Sequence, residues 1–293
     1  MKKMLFVLNP CAGTRKANKV LPELLSLFNR AGYDVSVYIT SAPGEGKEQV
    51  AQRAKEMDLI VCCGGDGTFN ETVAGIQEAN ADTPVGYIPT GSTNDFAHSL
   101  GLKTHPIEAA KAIVEGTPTV YDAGSFDGRV FTYVASFGAF TRASYATPQS
   151  IKNMLGHTAY VLGGISELSQ IKKISATITL DDEVLEGDFI FGAVCNSTSL
   201  GGIFTLDPSQ VDMSDGLFEI LLVRAPKDLA EIAECITAVQ KQQYNCHMIT
   251  FRTASHLQVT TPPDTPWTLD GELQNTDQAI QIENLHHAIR LVK

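Results

Sequence analysis

Hydrophobic and polar positions follow two different periods over roughly the first 120 residues, as expected of a sheet with helices on its faces. Leu5–Leu8 and Leu59–Cys63 are short unbroken apolar runs that predict buried strands, and Val35–Thr40 and Val85–Ile88 predict two more. Between them the apolar spacing becomes helical. Asn18–Ala31 places Val20, Leu21, Leu24, Leu25, Phe28 and Ala31 on one face, with Pro22 in the first turn and Gly32 at the exit. Lys47–Met57, Phe69–Ala79 and Pro106–Glu115 predict further helices. After about Asp122 the pattern shifts to short strands with Asp-Gly and Gly punctuation: Arg129–Phe137, Ile174–Leu180, Val184–Cys195, Leu217–Val223, Thr250–Arg252 and Leu257–Thr261. Asp127-Gly128 and Asp181-Asp182 stand where hairpin turns belong. Helices at Ile151–Gln170 and Asp228–Gln240 interrupt this half, and Ala279–Glu283 and Ala288–Val292 close it as two strands.

The predicted organisation is an α/β domain over 1–122 and a mainly antiparallel β domain over 123–283, with the strands of 284–293 either completing the second or returning to the first. The length of 293 residues agrees with about two domains at roughly 150 residues each. A 43% hydrophobic content suffices for full-sized cores, so disordered and disulfide-scaffold readings fall away. Six cysteines without paired spacing predict buried, reduced thiols in a cytoplasmic protein. A net charge of −11 removes the global positive field that a nucleic-acid binder needs. The N-terminal apolar run stops at Asn9-Pro10, too short for a signal peptide, and no run approaches the ~18 residues of a spanning helix. Any membrane contact is therefore expected to be peripheral.

Two strand-to-helix loops carry candidate chemistry. Gly64-Gly65-Asp66-Gly67-Thr68 lets the backbone approach a ligand and aims N–H groups at a helix N-terminus, where an anion is favoured. Asp66 beside phosphate requires an intervening cation or hydroxyl; the alternative is a tight turn in which Asp66 only caps the helix. Pro89-Thr90-Gly91-Ser92-Thr93-Asn94-Asp95 repeats the arrangement after the next strand, with hydroxyl and amide donors around one glycine. Both loops open on the same sheet edge, where α/β sheets bind ligands, and together they read as a polyphosphate cradle. Further along, Leu269-Asp270-Gly271-Glu272 is either a plain Asp-Gly hairpin or a carboxylate pair suited to general-base work. Val211–Gly216, with Asp212 and Asp215, reads by itself as an acidic turn. The seven histidines show no metal-binding spacing and read as structural or surface residues, and Trp267 as packing at the domain junction.

Taken in order, Asn9-Pro10, the Gly64–Thr68 loop with Asn70-Glu71, Pro89–Phe96, Tyr121–Gly124, Val134–Gly138, Asp215–Glu219 and Leu269–Glu272 resemble the diacylglycerol kinase catalytic family. That family includes sphingosine and ceramide kinases, and the greatest likeness is to the bacterial soluble diacylglycerol kinases. The resemblance implies a Rossmann-like three-layer nucleotide domain of the phosphofructokinase and NAD-kinase type, followed by a β-sandwich lipid-substrate domain. It implies ATP and Mg²⁺ as cofactors and transfer of the γ-phosphoryl group to diacylglycerol, giving phosphatidic acid. Nucleotide contacts are expected at Asn9, Thr40, Gly64, Gly65, Asp66, Gly67, Thr68, Thr90, Gly91, Ser92, Thr93 and Asn94. Asp270 is expected as the base with Glu272 supporting it, and Asp215, Asp212 and Asp66 as metal residues. Asp95, Asp122, Arg15 and Lys19 take supporting places. Asp66 and Asp270 are so distant in sequence that they share a site only in a cleft between the domains. Lys152, Lys172 and Lys173, beside the apolar helix Ile151–Gln170, are the first candidates for transient membrane docking, and the relatives suggest a homodimer. A kinase of a sphingoid base, a polyprenol or a soluble NAD-like alcohol is the second reading, and a non-catalytic nucleotide-binding regulator the third.

Overall fold

The apolar runs Leu5–Leu8, Leu59–Cys63 and Val85–Ile88 form strands that are buried on both sides, whereas Tyr33–Ile39 at the sheet edge keeps partly exposed positions. In the computed structural model, which describes residues 1–13, 16–138, 172–200, 204–274, 276 and 279–293, β1 (Lys2–Leu8) pairs in parallel with β2 (Tyr33–Ile39) and with β3 (Leu59–Gly64). Strand β3 then pairs in parallel with β4 (Val85–Pro89). Alternate residues of β1 and β3 feed opposite faces. Met4, Phe6, Leu8, Leu59, Val61 and Cys63 pack with Leu24 and Phe28 of α1 (Lys16–Arg30) and with Ala110 and Ile113 of the helix Pro106–Glu115. The other face is covered by α2 (Glu45–Arg53) and α3 (Asp66–Glu78), which pack closely enough that a Cβ at Gly75 would lie 2.8 Å from Val50 Cβ. The result is three layers, helices over sheet over helices. Helix α4 (Asp95–Ser99) and helix α5 (Pro106–Glu115) follow β4.

The chain divides into two units: Met1–Ala123 with Leu285–Lys293, and Gly124–Asn284. Strand β5 (Pro118–Phe126) leads from the first into the second. Among the described residues, the strand registers of the second unit are antiparallel. Its strands are β6 (Arg129–Phe131), β7 (Val134–Gly138), β8 (Ile174–Leu180) and β9 (Glu183–Cys195), with the short pair β10 (Ser199–Leu200) and β11 (Phe204–Thr205). They are followed by β12 (Phe218–Arg224), β13 (Ile249–Ala254), β14 (His256–Thr260), β15 (Trp267–Leu269), β16 (Glu272–Gln274) and the first part of β17 (Ala279–Val292), which from Leu285 on belongs to the first unit. Its core gathers Phe131, Phe137, Phe189, Val194, Phe218, Ile220, Val259 and Ile280 around Trp267, which meets Phe126 edge-on at 5.1 Å. Trp267 is thus a core residue of the second unit. The helix Leu229–Gln240 is capped as its sequence dictates: Asp228 accepts from the Ala230 and Glu231 N–H groups, while Glu231 accepts from the Lys227 N–H.

Three expectations change. The run Arg129–Phe137 is two strands, because the N–H groups of Thr132, Tyr133 and Val134 turn toward one carboxylate instead of a neighbouring strand. The two closing strands are one, β17, whose final residues Leu291 and Val292 pair in parallel with β4. The cysteines are not uniformly buried: Cys62, Cys63 and Cys195 are, whereas Cys11 is exposed. Burial pushes the Cys63 thiol up to about 12. Helix Ile151–Gln170 and residues Arg15 and Lys152 lie outside the described residues; Lys172 and Lys173 are exposed. Among the described residues no helix is long and apolar enough to cross a membrane.

Candidate active site

Three loops of the first unit meet at the C-terminal ends of β1, β3 and β4. Asn9 links two of them: its N–H reaches the Cys63 carbonyl, and its side-chain Nδ2 donates to Thr68 Oγ1 at 3.1 Å. The Thr90 N–H donates to the Gly64 carbonyl at 2.8 Å, joining the second loop to the third. Glycine is required where these loops touch. A Cβ on Gly91 would stand 2.6 Å from Gly65 Cα, and a Cβ on Gly13, whose φ is +48°, would stand 2.2 Å from the Thr90 carbonyl oxygen. Thr40 joins the same edge, its N–H donating to the Leu8 carbonyl at 2.9 Å.

Helix α3 begins at Asp66, so Asp66, Gly67 and Thr68 are its first turn and not a free loop. Gly65 at its cap provides no side-chain hydrogen bond, and the first-turn N–H groups have no partner within the helix. With the helix dipole these groups form an anion-binding end, and buried Asp66 brings the carboxylate that a phosphate-bound cation needs. ATP with Mg²⁺ therefore fits the residues present. Asn94 departs from its expected part. Its Oδ1 accepts from the Gly91 N–H at 2.9 Å and its Nδ2 donates to the Gly91 carbonyl at 3.1 Å, so it braces the turn from inside. Ser92 and Thr93 beside it are exposed, with their hydroxyl groups open to a ligand. Asp95 is buried at the start of α4, and Lys19 is exposed on α1.

In the second unit, Asp270 and Gly271 take φ of +49° and +80° between β15 and β16, the left-handed pair that a two-residue hairpin demands. The hairpin is present as geometry, and the Asp270 side chain adds to it. Its Oδ2 accepts from the Thr132 N–H at 2.7 Å and from Thr132 Oγ1 at 2.9 Å. Its Oδ1 accepts from the N–H groups of Tyr133 at 3.0 Å and Val134 at 3.1 Å. Burial raises its affinity for a proton above the ordinary aspartate range, and these four hydrogen bonds only partly offset that. Glu272 does not join it. It is exposed and lies 3.4 Å from Arg129, because residues 270 and 272 are separated by the reversal of the turn.

Asp212 and Asp215 are exposed in a turn, each accepting a backbone N–H two residues ahead, from Ser214 at 3.0 Å and Leu217 at 2.9 Å. Their oxygen donors suit Mg²⁺, which keeps several of its waters. Among the described residues, one ligand atom each of Asp122, His286 and His287, all of the first unit, lie within 4.8 Å of one another. Sequence reasoning missed Glu219. It is buried in β12, and burial first, then the charges of Asp215 and Asp212, push its carboxyl up to about 8. An acidic residue inside the apolar run Phe218–Val223 was the available signal. Register places Glu219 opposite Cys195, and Cys195 opposite Val134, whose N–H binds Asp270. A separate groove of about 1340 Å³, lined in part by Lys173, Arg224, Lys227 and Arg252, contains none of the predicted site residues.

Residues 3–126 match the diacylglycerol kinase catalytic domain, and residues 133–292 match the YegS C-terminal NAD kinase beta sandwich-like domain. The chain is 32% identical over 275 residues to the diacylglycerol kinase of Bacillus subtilis (strain 168), covering 93% of this chain and 90% of that one. It belongs to the diacylglycerol kinase family. The diacylglycerol kinase of Staphylococcus saprophyticus is 31% identical, with 92% and 89% covered. A solved structure of a candidate diacylglycerol kinase from Bacillus anthracis str. Sterne superposes with a TM-score of 0.80 at 26% identity, covering 99% of this chain and 96% of that one. The family is one of phosphotransferases, and its two-part architecture of α/β catalytic domain and β sandwich is the one found here.

Proposed function

We propose that this chain is an ATP-dependent diacylglycerol kinase that forms phosphatidic acid. The observation that carries this reading is the buried carboxylate of Asp270, held by four hydrogen bonds while burial raises its affinity for a proton above that of an ordinary aspartate. The kinase names of relatives matched over more than nine-tenths of the chain support the acceptor class. In the first unit, the N–H groups of the α3 first turn, with Thr90, Ser92 and Thr93, bind and orient the triphosphate. Asn94 and the close-packed glycines keep that backbone in place. Asp66 holds the Mg²⁺ that the triphosphate brings, and this ion supplies charge neutralisation during transfer. Asp212 and Asp215 hold a second, structural Mg²⁺. In the second unit, Asp270 takes the proton of the acceptor hydroxyl at Oδ2. Of the two Thr132 donors on that oxygen, the Oγ1 hydroxyl can rotate away, whereas the backbone N–H is fixed. Membrane contact is transient and peripheral, with exposed Lys172 and Lys173 as cations that an acidic surface attracts.

The test offers labelled ATP and Mg²⁺ with micellar diacylglycerol, a sphingoid base, a polyprenol or NAD. Labelled phosphatidic acid at a rate exceeding every other product is the expected result; faster transfer to another acceptor overturns the substrate assignment. A second measurement addresses the base. Thr132→Val removes one hydrogen bond that favours the Asp270 carboxylate, so its proton affinity rises further and the acidic limb of the kcat/KM–pH profile moves to higher pH. An unmoved limb, with the fold intact by circular dichroism, would remove Asp270 from the titration that controls turnover.

A further inference from the structure

Strand β17 contains a departure from regular geometry that the kinase reading leaves unused. Successive side chains of a strand point to opposite faces. Here His286 and His287 lie on one side with their rings stacked, centroids 3.6 Å apart. The cause is His287, whose φ of +56° places a non-glycine residue in the left-handed region inside the strand. Asp122 of β5 holds that conformation. Its Oδ1 accepts the His287 N–H at 2.8 Å and stands 3.0 Å from His286 Nδ1. The Asp122 carboxyl group is fully buried, while the His286 side chain is half-exposed. All three residues belong to the first unit. A locally strained backbone that brings two imidazoles and a buried carboxylate together is the sort of outlier from which a functional site is inferred.

We propose that Asp122, His286 and His287 bind a divalent transition metal of the Zn²⁺, Co²⁺ or Ni²⁺ class. One ligand atom from each residue lies within 4.8 Å of the other two. Tetrahedral bonds of about 2.1 Å set ligand atoms roughly 3.4 Å apart, close to the 3.0 Å of the His286–Asp122 pair, and the stacked imidazoles must turn so that their in-plane lone pairs converge on one ion. Two imidazoles with one carboxylate select a borderline metal over Mg²⁺, which prefers an all-oxygen shell. Three protein ligands leave one position for water, and the exposed imidazole side gives the ion its entry. The site differs in chemistry from the Mg²⁺ residues proposed above. A bound ion pins β5 to β17 within the first unit and fixes the left-handed turn at His287.

The test uses the full chain stripped with a chelator and titrated with ZnCl₂ by calorimetry, with and without millimolar MgCl₂. The comparison protein carries His286→Asn and His287→Asn, since asparagine tolerates the left-handed conformation. One Zn²⁺ per chain is expected, undisturbed by Mg²⁺, with affinity weakened at least about tenfold in the double variant. Wild type alone should show a Zn²⁺-dependent rise in Tm. Co²⁺ should give visible bands without a thiolate charge-transfer band, which separates this site from exposed Cys11. Equal Zn²⁺ binding by the double variant, competition by Mg²⁺, or a thiolate band would each overturn the proposal. Circular dichroism of the variant confirms that a loss of binding is not a loss of fold.

Discussion

Asp270→Asn is expected to lower turnover by at least about 100-fold, the scale of a lost general base, while leaving nucleotide affinity unchanged. The structure also assigns the substitution a folding cost. Asparagine best keeps its oxygen toward the Tyr133 and Val134 N–H groups, which turns its amide toward Thr132. Thr132 Oγ1 can rotate and accept from that amide, but the Thr132 N–H then faces a donor. One buried N–H without an acceptor costs about 1–3 kcal/mol, enough to lower Tm but not to unfold the protein. Turnover is therefore measured below the variant's own transition, with binding of a non-hydrolysable ATP analogue as the control. A near-wild-type rate would leave Asp270 as a structural clamp alone. Loss of analogue binding would mean that the damage reaches beyond the second unit.

Gly91→Ala produces the complementary defect. The added Cβ would fall 2.6 Å from Gly65 Cα and 2.8 Å from Asn94 Oδ1, distances that no rotamer change relieves because one neighbour is backbone. The 64–68 and 90–94 loops must separate, and the hydrogen bonds between Asn94 and Gly91 must stretch with them. Misplacement of positioning groups by about 1 Å costs on the order of 100-fold in rate. Analogue binding is accordingly expected to weaken by at least about tenfold, alongside a core-overpacking penalty of about 1–3 kcal/mol in stability. Unchanged analogue affinity would show that the two loops do not jointly bind the triphosphate. The two variants thus separate nucleotide positioning from proton acceptance.

The contrast between these variants follows from what kind of information each residue carried. The glycines at 64, 65, 67 and 91 announced close backbone approach, and the structure puts Gly65 and Gly91 against each other. Asn94 stood among donors in the sequence, but its amide is spent on Gly91, because a left-handed residue at φ +54° points its side chain back over the turn it closes. Glu272 looked like a partner for Asp270 by proximity in sequence, and the hairpin reversal took it to Arg129. Glu219 looks like one more strand residue, and burial pushes its carboxyl up to about 8.

Local chemistry determined the parts of this protein. Apolar runs with β-branched residues, Asp-Gly pairs at 127–128 and 270–271, the Asp228 cap and the glycine-rich loops fix strands, turns and helix starts through interactions within a few residues. The order of the motifs also identified the family. The tertiary structure decided the partners. Asp270 meets Thr132–Val134 across 136 to 138 residues, and Asp122 meets His286 and His287 across 164 and 165. A carboxylate's role depends on which donors converge on it and on how far burial removes it from water. Both are set by strand register and packing between distant segments, which the spacing along a single chain does not encode.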